Sequence, residues 1–201
     1  MRIAIIDSGI HAGHPHVGDV AGSVSFAGGD ALDRLGHGTA VAGAIREKVP
    51  DAELFAVKVF DRRLSAEIGT LIEAFEWCRH NGMDVLNLSL GTANAAHREG
   101  LEEAVRGNGV VVSACGMLPG DLPGVVCVEP DAGCPRDQFR YRDGVFVASP
   151  YPRPIPGVPP ERNLKGVSFA VANMTGFVAM ALADVPRGEL WTALVEKAVM
   201  R

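Results

Sequence analysis

The chain has 201 residues, of which 47% are apolar and 21% charged, and it carries a net charge of −5. That balance describes one ordinary globular domain with a sizeable core and excludes a chain dominated by disorder. It offers no clustered basic face for nucleic acid, and no apolar run approaches the roughly 18 residues that a membrane helix needs.

The N-terminal run Ile3–Ile6 reads as a short buried strand and ends on Asp7-Ser8-Gly9. It is too short for the apolar region of a secretory signal, and no small-residue cleavage site follows. A helix is expected just after Gly36-His37-Gly38, with Val41, Ala44 and Ile45 facing inward. Leu54–Val59 is the second strand. Ser65 then offers an N-cap, Glu67 sits in the first turn, and Ile68, Leu71, Ile72 and Phe75 recur at helical spacing up to the stop at Asn81-Gly82.

Val85–Leu90 is the third strand. A helix with Leu101, Ala104 and Val105 on one face ends near Asn108-Gly109, and Val110–Ser113, Val125–Val128 and Val145–Ala148 complete the strands. Between the last two, Arg136, Arg140 and Arg142 alternate with Asp137 and Asp143, which reads as a solvated loop. Pro150–Pro160 holds six prolines in eleven residues and is expected to be an extended surface connection. Two helices close the chain: one from near Ser168 through Phe177, Val178 and Ala181, the other over Gly188–Val199. Apolar strands alternating with amphipathic stretches predict an α/β domain with a mostly parallel sheet, buried on both faces, spanning residues 1–201.

The four cysteines, Cys78, Cys115, Cys127 and Cys134, lie in or beside apolar segments with no CxxC pair. Buried free thiols in a reducing compartment, hence a cytoplasmic protein, is the plain reading. A Cys127–Cys134 bridge or a metal site is the alternative.

Three residues carry candidate chemistry. Asp7 follows the first strand, where open α/β sheets place their sites, although aspartate there is often only a turn former. His37 is bracketed by glycines, which let the backbone turn and leave the imidazole uncrowded, although a structural histidine fits the same description. Ser168, in Gly166-Val167-Ser168-Phe169-Ala170, lies at the positive end of a helix, where it is either a nucleophile or a simple N-cap. Together they stand in the order Asp, His, Ser, one of three chain orders in which this triad is found.

These segments resemble the subtilisin-like serine peptidases (subtilases) from residue 3 to about residue 183. Ile5-Ile6-Asp7-Ser8-Gly9-Ile10 with His14-Pro15 resembles the family's aspartate segment, and Gly36-His37-Gly38-Thr39-Ala40-Val41-Ala42-Gly43 its histidine segment. Gly166-Val167-Ser168-Phe169-Ala170 resembles the serine segment. Leu54–Val59 and Asp84–Gly91 resemble two further family strands, the second normally a wall of the substrate cleft. The resemblance implies a subtilisin-like three-layer α/β/α fold and a serine endopeptidase acting through an acyl-enzyme. Ser168 would be the nucleophile, His37 the general base and then acid, and Asp7 the residue that fixes the imidazole tautomer. Ser89, Leu90 and Gly91 would bind an extended peptide or protein substrate as an added strand.

The departures from the family pattern concern the oxyanion hole. Gly116-Met117 stands where the family has Gly-Asn, and the Met117 side chain has no N–H to donate, leaving the backbone N–H of Ser168. Ala40, Val167 and Ala172-Asn173 replace the usual histidine, threonine and Pro-His pair, and Asn173 is a candidate to refill the hole. No propeptide precedes the aspartate segment and no calcium loop is recognisable, so neither metal nor cofactor is expected. A slow, selective peptidase, trimming a precursor peptide, is the leading expectation. The alternatives are a silent peptide-binding or scaffold protein, acyl transfer to an amine, and a partner protein that completes the site.

Overall fold

A computed structural model describes residues 1–199. Strands β1 (Arg2–Asp7), β2 (Gly22–Ser25), β3 (Glu53–Lys58), β4 (Val85–Leu88), β5 (Val110–Ala114), β6 (Val126–Pro130), β7 (Phe139–Arg142) and β8 (Val145–Ala148) form one sheet in the order β2-β3-β1-β4-β5-β6-β8-β7. All neighbours are parallel except β7 and β8. Successive side chains of a strand point to opposite faces, and both faces are covered. On one face Ile3, Ile5, Leu54 and Val112 pack with α1 (His37–Arg46), α4 (Val167–Asp184) and α5 (Leu190–Lys197). On the other, Ala4, Ile6, Leu86 and Val111 pack with α2 (Ile68–His80) and α3 (Arg98–Val105). The result is the expected three-layer α/β/α arrangement.

The central strands are continuous apolar runs because parallel strands are buried on both sides. The largest aromatic cluster lies at the β7–β8 end of the sheet. The ring of the fully buried Phe146 stands 4.9 Å from Tyr141 and 5.1 Å from Trp191. Phe146→Ala is expected to lower stability by about 3–5 kcal/mol, since it leaves a cavity that neighbouring rings cannot fill. Urea unfolding would check this, and a loss below about 1 kcal/mol would contradict the packing described.

Several expectations need correction. The arginine-rich segment is a loop only in part: Arg136, Asp137 and Asp143 lie in turns, but Arg140 and Arg142 lie on the antiparallel edge strand β7, whose Phe139 and Tyr141 face the core. Arg140 meets Asp131 at 2.7 Å. Ser65 does not cap α2, which begins at Ile68 after an extended Glu67. Helix α3 ends at Val105, α5 is shorter than expected, and β4 stops at Leu88, so Ser89 and Leu90 leave the ladder. Helix α4, expected from near Ser168, has 18 residues and is apolar enough to span a membrane by length and composition, which the search for an unbroken apolar run passes over because Asn173 and Thr175 interrupt it; 67% of it is buried within the fold.

Cys115 and Cys127 are not free but joined by a disulfide, with Cα atoms 5.0 Å apart. Parallel register brings them together: Ser113 of β5 pairs with Cys127 of β6, and Cys115 lies two residues further on. The cytoplasmic expectation therefore loses part of its thiol argument. Cys78 and Cys134 remain free and buried, and burial pushes the Cys78 thiol up to about 12.

Candidate active site

Asp7 is the last residue of β1, in the middle of the sheet, and His37 is the first residue of α1. Asp7 is fully buried, and its Oδ1 lies 2.7 Å from His37 Nδ1. The same oxygen accepts from the Ser8 backbone N–H at 2.7 Å and from the Ser8 hydroxyl at 3.1 Å. Gly38 permits this approach. A Cβ there would lie 2.2 Å from the Gly9 carbonyl oxygen and 3.2 Å from the Asp7 side chain.

Burial works against a charged His37. The hydrogen bond and charge of Asp7, with the charge of Asp33, outweigh it and hold the imidazole pKa above its ordinary 6.5.

Asp33 is a site residue that the sequence reading misses. Its carboxylate accepts from Ser8 Oγ (2.8 Å), the N–H groups of Leu35 and Gly36 (both 2.9 Å), and the Thr39 N–H (2.8 Å) and hydroxyl (2.6 Å). Gly38 N–H in turn donates to Ser8 Oγ at 3.0 Å. Asp33 thus satisfies donors at the start of α1, where helical partners are lacking, and ties that turn to the loop after β1. A carboxylate four residues before a glycine-flanked histidine is the only signal in the sequence.

Ser168 occupies the first turn of α4, at the positive end of an 18-residue helix. Its Oγ donates to the Ser89 carbonyl at 3.4 Å, and Ser89 Oγ donates to the Ser168 carbonyl at 3.1 Å. Phe169, the next residue, places its ring 5.7 Å from that of His37. Asp7 and His37 are therefore joined directly and Ser168 stands against the Ser89–Gly91 segment, while no hydrogen bond links Ser168 to His37 among the described residues. Beneath the segment, buried Asn87 donates to Ser89 Oγ (2.9 Å) and accepts from Thr175 of α4 (2.9 Å). The polar Asn87 within the apolar strand Val85–Leu88 is a signal that sequence reading passes over.

The candidate oxyanion region is not arranged as expected. The Gly116 N–H donates to Asp121 Oδ1 at 2.8 Å, so it is not free to face a substrate. The Met117 side chain lies over Gly91. Asn173 is fully buried away from this region: its amide donates to the carbonyls of Ser149 (2.9 Å) and Tyr151 (3.0 Å) and its oxygen accepts from Lys48 Nζ (2.6 Å). It does not refill the hole. Burial lowers the Lys48 pKa to about 8.

Comparison with known proteins gives a consistent picture. A family model described as "Subtilase family" matches residues 1–117. Subtilisin DY from Bacillus licheniformis is 29% identical over 92% of this chain and 78% of its own length. M-protease from Shouchella clausii is 35% identical over 92% of this chain but 52% of its own length. Subtilisin NAT from Bacillus subtilis subsp. natto is 30% identical, and the match spans 57% of it. A solved structure titled as a cold adapted subtilisin-like serine proteinase superposes with a TM-score of 0.73 at 19% identity, covering 97% of this chain and 79% of that one.

Proposed function

The chain belongs to the subtilase family, and from that premise we propose that it is a serine peptidase in which Asp7, His37 and Ser168 act as the triad. The observation that carries this reading is the 2.7 Å contact between His37 Nδ1 and the buried Asp7 carboxylate. That contact fixes the proton on Nδ1 and leaves Nε2 to accept one. Ser168 Oγ attacks the substrate carbonyl carbon and its proton passes to His37 Nε2. The C–N bond then breaks, the departing amine takes that proton, and a peptidyl ester remains on Ser168. Water, deprotonated by the same nitrogen, hydrolyses the ester and restores the serine.

The substrate lies along Ser89, Leu90 and Gly91 as an added strand. Beside that segment a cavity of about 230 Å³, lined by Phe60, Leu64, Ile68, Leu71 and Leu90 together with Glu67 and His97, has room for one side chain. Oxyanion stabilisation rests on the N–H of Ser168, which has no helical partner in the first turn of α4. With Gly116 committed to Asp121 and the Met117 side chain offering no donor, the enzyme is slow, and its work is selective cleavage such as trimming a precursor peptide.

The pH profile of kcat/KM for a peptide ester tests the reading. A protonated His37 cannot accept the serine proton, so the rate falls as pH drops through the His37 pKa. That pKa is raised, so the half-maximal rate is expected above pH 6.5. A rate that stays flat down to about pH 5 would exclude His37 as the base.

A further inference from the structure

Resting on the peptidase reading, we infer that Met117 determines specificity by filling the gap that the side chain of the carbonyl-donating residue would enter, so that the chain accepts glycine there. The gap lies between two backbone segments that extend the adjacent parallel strands β4 and β5. The first, Ser89–Gly91, holds the nucleophile: the Ser89 carbonyl accepts from Ser168 Oγ at 3.4 Å. A peptide paired with this segment presents a carbonyl to Ser168. Side chains of an extended peptide alternate, and the residue bearing that carbonyl turns its side chain between the two segments.

In this molecule the two segments are closed on one another. Thr92 N–H donates to the Leu118 carbonyl and Leu118 N–H donates to the Thr92 carbonyl, both at 2.9 Å, in an antiparallel bridge. Within that closure Met117 reaches over the wall's own glycine. A Cβ added to Gly91 would lie 2.4 Å from Met117 Sδ, 2.6 Å from its Cγ and 2.9 Å from the Leu118 carbonyl oxygen. The thioether thus occupies the volume directly above the wall. Glycine needs none of that volume, whereas any larger residue must displace the methionine. Met117 is half-buried and packs against the main core, so moving it forfeits contacts. Methionine is flexible enough to rotate, which makes this a selectivity and not an absolute block. One methylene in such a pocket changes discrimination by about 10–200-fold, so a benzyl group against a hydrogen is expected to exceed tenfold.

Binding in the Ser168→Ala background tests this without relying on turnover. Two acetylated tetrapeptides that differ only in ending on glycine or phenylalanine are titrated calorimetrically. The glycine peptide is expected to bind more than tenfold tighter, and adding Met117→Ala is expected to shrink that ratio at least tenfold by improving the phenylalanine peptide. Adding Met117→Leu, of similar volume, should keep the preference. Equal binding of the two peptides, tighter binding of the phenylalanine peptide, no binding of either, or a ratio that Met117→Ala leaves unchanged would overturn the inference. Failure of the peptidase reading shows separately, as ester hydrolysis by the otherwise wild-type protein that is absent or indifferent to Ser168→Ala.

Discussion

Ser168→Ala is expected to reduce kcat for peptide hydrolysis by about 10³–10⁶. The upper figure is the loss measured for the nucleophile of a subtilisin with a complete site. The lower one allows for the missing side-chain donor, an effect of about 10²–10³ that is also known from a subtilisin. The fold should be indifferent to the change. The hydroxyl makes one long hydrogen bond, 3.4 Å to the Ser89 carbonyl, while the Ser168 carbonyl keeps its bond from Ser89 Oγ. Stability is therefore expected to stay within about 1 kcal/mol of wild type. Kinetics on a peptide ester, alongside thermal unfolding, separate the two effects. Hydrolysis that persists within tenfold in a folded Ser168→Ala protein would remove Ser168 from the mechanism.

Asp7→Asn is expected to cost about 10⁴ in kcat with little change in KM, a magnitude known from the equivalent substitution in a serine peptidase of unrelated fold. Asp7 Oδ1 accepts from His37 Nδ1 and twice from Ser8. Because one oxygen serves all three donors, an asparagine has two placements. It can keep its oxygen there, uncharged and unable to stabilise the protonated His37. Otherwise it turns its NH₂ there, sets it against the Ser8 N–H and moves the imidazole proton to Nε2 by donating to Nδ1. Either way the base is weakened. The His37 pKa should also fall, because the Asp7 hydrogen bond and charge are its main raising causes. Steady-state kinetics and histidine titration by NMR check both halves. A variant within tenfold of wild type would show that the 2.7 Å contact is only structural.

Much of this was legible from residue patterns, for a physical reason. Central parallel strands are buried on both faces, so Ile3–Ile6 and Val145–Ala148 stand out as unbroken apolar runs. Edge strands lack that signature. Gly22–Ser25 is half-exposed, and in Phe139–Arg142 the arginines mask two core aromatics. Asp7, His37 and Ser168 each lie at the end or beginning of a regular element, within glycine-containing segments, and the segments survive as a pattern. What the sequence conceals depends on register between distant segments. The Cys115–Cys127 disulfide follows from the β5–β6 pairing, Asp33 from the path of the loop before α1, and the Met117–Gly91 contact from the bridge between Thr92 and Leu118. Asn173 illustrates the opposite error: helical pitch alone puts it near the site, but burial and three hydrogen bonds hold it elsewhere.

The central claim is that Asp7, His37 and Ser168 form one working unit even though Ser168 is hydrogen-bonded to Ser89 and not to His37. Treating the purified protein with a fluorophosphonate and reading its intact mass tests it most directly. Such reagents label only an activated serine. A single adduct on the wild type, absent from Ser168→Ala, is the expected result. A folded wild-type protein that takes no adduct, or an adduct that survives Ser168→Ala, would contradict the claim, and the first of these would leave the cleft as a peptide-binding surface without catalysis.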